Sequence, residues 1–320
     1  MDALVVMLKN VALFILLAVP GFLLTKAKIL REKDSGILSK LLMYVGVPFL
    51  VFSGTADKVE FTKETAFVLA AVFLFGVLYT FLFFFLSGPL SAFEKDEKKR
   101  GMIRFSAVFS NNGFLGIPLA LSVFGNGPVL TMVIVLNVLT NVLMNTLGVY
   151  LVSGDVSMIK PRKVLLHPVL LAFLLGILVN LTGIVKYVPE ISTYSGHFSN
   201  VVTPVSMSVV GIKLASIRFC TLVKSQRNYY VSFLKLVLCP VLITAVLFCL
   251  RLAFPAFPLG KDAVLAFFIA FSMPTAGLAS SFADAFQGDT EGAVTYTLGT
   301  TILSALTIPL LYFALTSILG

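Results

Sequence analysis

Ten runs of about 20 apolar residues follow one another along the chain, each long enough to cross a hydrocarbon layer of ~30 Å. They cover 3–24, 35–54, 65–90, 102–123, 128–152, 164–184, 197–218, 229–252, 262–284 and 291–319. The longest polar stretch, FEKDEKKRGMIR at 93–104, is only a loop. Backbone at membrane depth must satisfy its own N–H and C=O groups, so the pattern predicts an all-α integral membrane protein of ten spans. Composition agrees, with 58% hydrophobic and 12% charged residues, whereas a soluble domain carries about a quarter charged. After the first run, LTKAKILREK reads as a basic stop behind a retained span, with no small-residue cleavage site.

The net charge of +9 is explained by where the charges fall. Loops after spans 1, 3, 5 and 7, counted with the adjoining span-end residues Lys40 and Arg218, hold 15 Lys and Arg, against 5 in the loops after spans 2, 4, 6 and 8 counted with Arg251. The positive-inside rule then places the odd loops in the cytoplasm and both termini outside, in a plasma or bacterial inner membrane. The bilayer is therefore the expected partner, and nucleic acid is not. Arg104, Lys213 and Lys235 fall near cytoplasmic span ends, where long stems are expected to snorkel toward water. Cys220, Cys239 and Cys249 show no metal-type spacing and read as small packing residues.

The halves of the chain rhyme. SGILS at 35–39 opens span 2 and SGHFS at 195–199 opens span 7; Phe109-Ser110 in span 4 matches Phe271-Ser272 in span 9. Two repeats follow, 1–154 and 160–320, each of five spans. An odd number of spans forces the second repeat to enter the membrane the opposite way, the inverted plan of many secondary transporters. Each repeat breaks its fourth span. Ser110-Asn111-Asn112-Gly113-Phe114-Leu115-Gly116-Ile117-Pro118 interrupts span 4, and Ser272-Met273-Pro274-Thr275-Ala276-Gly277-Leu278-Ala279-Ser280-Ser281 interrupts span 9. Each half-helix resuming after a break presents free N–H groups and a partial positive charge. Two such ends beside the Asn111 and Asn112 amides suit a small carboxylate.

Asn137, Asn141 and Asn145 form a stripe at i, i+4, i+8 on span 5, read as holding span 4 against span 5 and lining a cavity. Thr297 and Thr301 share a face of span 10, where helix–helix hydrogen bonding is the simpler role. No acidic residue lies well inside a span: Asp57, Glu60 and Glu64 precede span 3, and Asp284, Asp289 and Glu291 flank the turn between spans 9 and 10. This speaks against a cation/proton antiporter, which is expected to bury a titratable carboxylate. His167 and His197 sit at span entrances. No nucleophile–base pair or metal-ligand cluster appears, so neither enzymatic activity nor a cofactor is expected. A sodium site built from carbonyl and hydroxyl oxygens needs no carboxylate and stays open.

SNNGFLGIPLAL, the second break at MPTAGLASSFADAF, and the closing TYTLGTTILSALTIPLLY resemble the auxin efflux carrier family, which includes plant auxin exporters and bacterial permeases for malate and malonate. The resemblance implies a scaffold of spans 1, 2, 6 and 7, a homodimer, and a transport domain of spans 3–5 and 8–10 around crossing breaks. It implies a carboxylate site using Asn112, Gly113 and Pro118, with Pro274, Thr275, Ser280 and Ser281 opposite and Phe52, Ser53 and Ser208 contributed by the scaffold. The chain departs from the plant pattern. Its loop between spans 5 and 6 is cut to SGDVSMIKPRK, Ala279-Ser280 replaces a second crossing proline, and Val51 replaces a polar residue after Pro48. These departures favour a small organic acid such as malate or malonate over an auxin-like acid.

The expected function is a secondary transporter moving an organic carboxylate by an elevator-type shift of one domain against the other. A single charge crossing 100 mV is worth ~2.3 kcal/mol, so export of an anion is expected to run on the membrane potential. A Na⁺- or H⁺-coupled dicarboxylate importer and an anion channel are the alternatives.

Overall fold

The computed structural model describes residues 3–57, 62–216, 219–253 and 259–319; Glu60 and the side chain of Cys220 lie outside the described residues. Helices occupy the apolar runs in order: α1 (Ala3–Lys26), α2 (Asp34–Ala56), α3 (Lys63–Leu90), α4 (Glu97–Val108), α5 (Asn112–Phe124), α6 (Pro128–Ser153), α7 (Pro168–Thr182), α8 (Glu190–Ser216), α9 (Gln226–Ala253), α10 (Lys261–Ser272), α11 (Ala279–Ala285) and α12 (Thr290–Leu319). Among the described residues seven helices are long and apolar enough to cross a membrane: α1, α2, α3, α6, α8, α9 and α12. The fourth and ninth runs are each split in two, at 109–111 and 273–278.

Local chemistry sets the helix ends. Thr62 accepts from the Thr65 N–H ahead of α3, and Asp96 accepts from the Lys98 and Lys99 N–H groups ahead of α4. Gly183, in the left-handed region at φ 66°, ends α7. Carbonyls at the close of α3 find outside donors: Arg100 Nη2 reaches Gly88 O at 3.1 Å and the Tyr230 hydroxyl reaches Leu90 O at 2.6 Å.

Four wide turns interrupt α2, α5, α6 and α9, at Leu42–Gly46, Asn112–Gly116, Met144–Gly148 and Leu234–Leu238. Three of them end two residues before a proline: Pro48, Pro118 and Pro240. A proline lacks an N–H, and its ring presses on the carbonyl four residues earlier. Widening the turn ahead of it relieves that clash and frees carbonyls for other partners.

Packing sorts the helices into two groups. α1 lies along α8 at backbone contact distance: a Cβ on Gly21 would stand 2.1 Å from Ser208 O, and one on Gly211 would stand 2.0 Å from Ala18 O. α2 packs on α7 and α8, and Asn180 Nδ2 caps its end through Thr55 O and Ala56 O, both at 3.1 Å. In the other group α3, α6 and α10 pack together with α4, α9 and α12. The largest sealed side chains lie in this second group, among them Phe83, Phe105, Phe109, Phe267 and Phe268. An ion pair of 2.6 Å joins Arg227 at the start of α9 to Glu94 ahead of α4.

The outward faces are apolar. Leu16 and Leu23 on α1, Leu178 and Leu181 on α7, and Leu306 and Phe313 on α12 are each more than half exposed. Faces of this extent are covered in water only by aggregation, whereas a bilayer covers them as solvent. The molecule is an integral membrane protein.

Candidate functional site

The two broken segments cross and stitch to each other. Asn111 N–H donates to Pro274 O at 2.8 Å, and Ala276 N–H donates to Phe109 O at 3.0 Å, bringing Ser110 and Thr275 together as an antiparallel bridge. Thr275 spends both of its donors in the same place: its hydroxyl donates to Ser106 O at 3.0 Å and its N–H to Thr300 Oγ1 at 3.1 Å. The carbonyls released at the end of α4 are thus taken up by the opposite break, as buried backbone requires. The crossing consumes N–H groups at Asn111, Thr275 and Ala276 that the sequence suggested as anion donors. The helix resuming after the second break, α11, has only seven residues.

Beside the crossing lies a small cavity of about 40 Å³, lined by Ser110, Asn111, Asn112, Gly113, Asn137, Thr140, Asn141 and Gly277 with apolar neighbours. Its donors can be assigned from their partners. The Thr140 hydroxyl donates to Leu136 O at 2.8 Å, so it accepts from Asn112 Nδ2 at 3.0 Å. Asn112 Oδ1 is left buried without a partner. Asn141 Nδ2 donates to Asn137 O at 2.8 Å and to Asn137 Oδ1 at 3.2 Å. Asn137 Nδ2 therefore remains a sealed donor with no acceptor. Such groups are rare in folded proteins and mark a place where a polar partner gains binding energy.

Met43 and Leu278 line both this cavity and a larger vestibule of about 640 Å³. The vestibule brings together Lys40, Lys160, Arg162, Lys163, His167, Asn145 and Ser281, with no acidic side chain among the described residues of its wall. A field of one sign over an apolar floor concentrates ions of the opposite sign.

The other sequence candidates distribute unevenly. Asn111, Asn112, Gly113, Asn137 and Asn141 line the cavity; Asn145 and Ser281 line the vestibule. Pro274 and Thr301 face away, into an apolar pocket of about 260 Å³ between α1, α5, α8 and α12. Thr297 and Thr301 each donate to the carbonyl one turn earlier, at Ala293 and Thr297. Pro118 is buried behind the wide turn. Phe52 and Ser53 belong to the part of α2 that packs on α7, where Phe52 O lies 3.2 Å from a Cβ placed on Gly176. The Ser208 hydroxyl turns back to Pro204 O while its carbonyl meets Gly21. The hydroxyl that α8 does aim at the crossing is Ser206, whose Oγ lies 3.1 Å from Phe114 O.

Two lysines correct the sequence expectation. Lys235 does not snorkel: it is fully sealed in the wide turn of α9, with Nζ 2.5 Å from Ser110 Oγ and 3.5 Å from Val108 O. Lys213 turns inward from α8, with Nζ 3.3 Å from Ser280 Oγ and 3.4 Å from Gly277 O. Each break thus receives one lysine from another helix. Snorkelling was inferred from distance along the chain, and packing decides otherwise.

Crossed breaks stitched by backbone hydrogen bonds inside a bundle of apolar helices are an arrangement that many secondary transporters use. The model of the family described as "Membrane transport protein" matches residues 5–160. The match covers just under half of the chain and agrees with the resemblance to the auxin efflux carrier family. An uncharacterized transporter of Methanothermobacter thermautotrophicus is 26% identical over 301 residues, covering 92% of this chain and 94% of the relative. A second, from Methanocaldococcus jannaschii, is 26% identical over 212 residues, covering 64% of this chain and 68% of the relative.

Proposed function

We propose that this chain is a carrier for a small organic carboxylate, working by alternating access. The observation that carries the reading is the pair of unpartnered amide atoms, Asn112 Oδ1 and Asn137 Nδ2, sealed beside the crossing at the end of a basic vestibule. A carboxylate accepts from Asn137 Nδ2, and a hydroxyl on an acid such as malate donates to Asn112 Oδ1. The four cationic residues of the vestibule draw the anion in before it is desolvated.

The ten apolar segments form two inverted repeats, 1–154 and 160–320, with α1, α2, α7 and α8 as scaffold and the remaining helices as the moving domain. The division follows the packing: the tightest backbone contact, α1 on α8, lies within the proposed scaffold. By the distribution of Lys and Arg, the vestibule opens to the cytoplasm. The cavity at the crossing has room for about one water, so it widens as the moving domain shifts. For an anion carried alone, the membrane potential favours exit from a negative-inside cell by ~2.3 kcal/mol per charge per 100 mV.

The test is electrical. The protein is reconstituted in liposomes, and charge movement and isotope flux are recorded on adding malonate, malate, citrate or indole-3-acetate. A saturable transient with stoichiometric flux of one acid supports the carrier. A sustained current far above carrier turnover makes the protein a channel, and absence of flux with every acid refutes the substrate class.

A further inference from the structure

Lys235 has no role in the carboxylate site, yet among the described residues it is the most deeply buried charge-bearing side chain. It is fully buried, on a wide turn that rotates it away from lipid and toward the first break. Its Nζ donates to Ser110 Oγ, and Ser110 itself lines the cavity beside Asn111 and Asn112. One hydroxyl therefore separates the amine from the proposed anion position. The Ser110 oxygen that accepts from Lys235 keeps its own proton free to point into the cavity.

The groups around the amine are neutral. On its own helix stands Cys239, one turn on, whose carbonyl and sulfur are both met by the Tyr79 hydroxyl from α3. From α12 the nearest titratable group along the helix is Tyr296, one turn before Thr300 at the crossing. α10 ends at the crossing and carries its charges, Lys261 and Asp262, at its far end, about 15 Å away at 1.5 Å per residue. On α4, Arg104 is turned to Ser87 Oγ and Phe84 O, and Glu97 lies about 16 Å back along the helix. Glu291 stands in the first turn of α12, about 13 Å before Thr300. No carboxylate of the described residues pairs with Lys235. A charged group sealed from water is tolerated with a counter-charge beside it or in its uncharged form. A carboxylate at the Asn112–Asn137 cavity is such a counter-charge.

Resting on the carboxylate-carrier reading, we infer that Lys235 is its proton-coupling group: a carboxylate binds at the crossing together with one proton held on Lys235 Nζ, and both cross together. The proton joins the amine lone pair from the water-accessible side and leaves to water on the other side, so no bond other than N–H is made or broken. It cancels one negative charge of the cargo. A dianion such as malonate then moves as net one negative charge and a monoanion as none, so direction follows the membrane potential and the pH gradient together.

The experiment measures protons and anion in the same vesicles. Proteoliposomes with trapped pyranine receive labelled malonate, then malate and citrate, with and without Na⁺. The wild type is expected to move one proton per anion in the same direction, independently of Na⁺. Lys235→Met is expected to lose at least ten-fold of the anion-dependent proton movement. Lys235→Arg, which keeps the charge but does not release a proton, is expected to retain anion binding without proton movement. Anion flux in the wild type with no proton movement overturns this inference and leaves the carrier reading standing. Proton coupling that survives in Lys235→Met overturns the assignment to Lys235. If neither variant inserts, the wild-type proton-to-anion ratio decides alone. No flux of any of the three acids overturns both readings.

Discussion

The hydroxyl of Ser206 lies 3.1 Å from the carbonyl of Phe114, and that carbonyl is the one whose helical partner Pro118 removes. Residue 118 has no N–H to offer the carbonyl four positions earlier, so the donor comes from α8, 92 residues away in the chain. The Ser206 proton is shared with Thr203 O at 3.0 Å. Replacing Ser206 by Ala is expected to lower stability by about 1 kcal/mol, the usual worth of such a bond. In a Pro118→Ala background the restored N–H satisfies Phe114, and the same replacement should cost markedly less. Thermal unfolding of the four proteins in detergent gives the cycle, and equal costs in both backgrounds would show that the two residues are not coupled.

Removing the unpartnered donor tests the site directly. Asn137→Ala is expected to weaken malonate binding about ten-fold, the equivalent of one hydrogen bond of ~1.4 kcal/mol. Asn145→Ala, whose amide is spent on Asn141 O at 2.9 Å, should change affinity much less. Titration calorimetry on the purified proteins compares them. Equal losses would move the site toward the vestibule.

Asn112→Ala removes both the bond to Thr140 and the free Oδ1. It is expected to abolish measurable binding while the protein still inserts and elutes as a single species. Normal transport by the purified mutant would displace the site from this residue.

The vestibule should act on capture and not on turnover. Replacing Lys160, Arg162 and Lys163 together by Gln is expected to raise KM several-fold and flatten its dependence on ionic strength, with kcat little changed. The assay is flux into vesicles from 0.05 to 0.5 M salt (about 14 to 4 Å of screening length). A fall in kcat with KM unchanged would contradict a funnel.

At the scaffold contact, Gly211→Val must push α1 away from α8, because even a Cβ would stand 2.0 Å from Ala18 O. Overpacking of this kind costs about 1–3 kcal/mol, which a detergent melt resolves. Gly36→Ala, where a Cβ meets nothing within 4 Å, serves as the control and should melt as the wild type does.

Apolar run length, the excess of Lys and Arg in alternate loops, and the placement of Gly and Pro are properties of neighbouring residues. They made the membrane, the apolar segments and a break in the fourth and ninth of them legible, because a helix ends where its own next residues cannot continue the hydrogen-bond ladder. The breaks themselves are shorter than the stretches 110–118 and 272–281 read from the sequence, since helix resumes at Asn112 and at Ala279. The asparagine stripe was legible for the same reason, since residues 137, 141 and 145 share a helix face at any tertiary arrangement. That Asn112 Oδ1 is left unsatisfied beside this stripe was not legible, because it depends on Thr140, on another helix, taking the Asn112 Nδ2 proton. Lys235 shows the limit most plainly. A lysine a turn or two inside a span end reaches water if its helix faces lipid and is sealed if three other helices close over it. Its partner Ser110 lies 125 residues earlier, and only packing brings the two together, at the point where the broken helices cross.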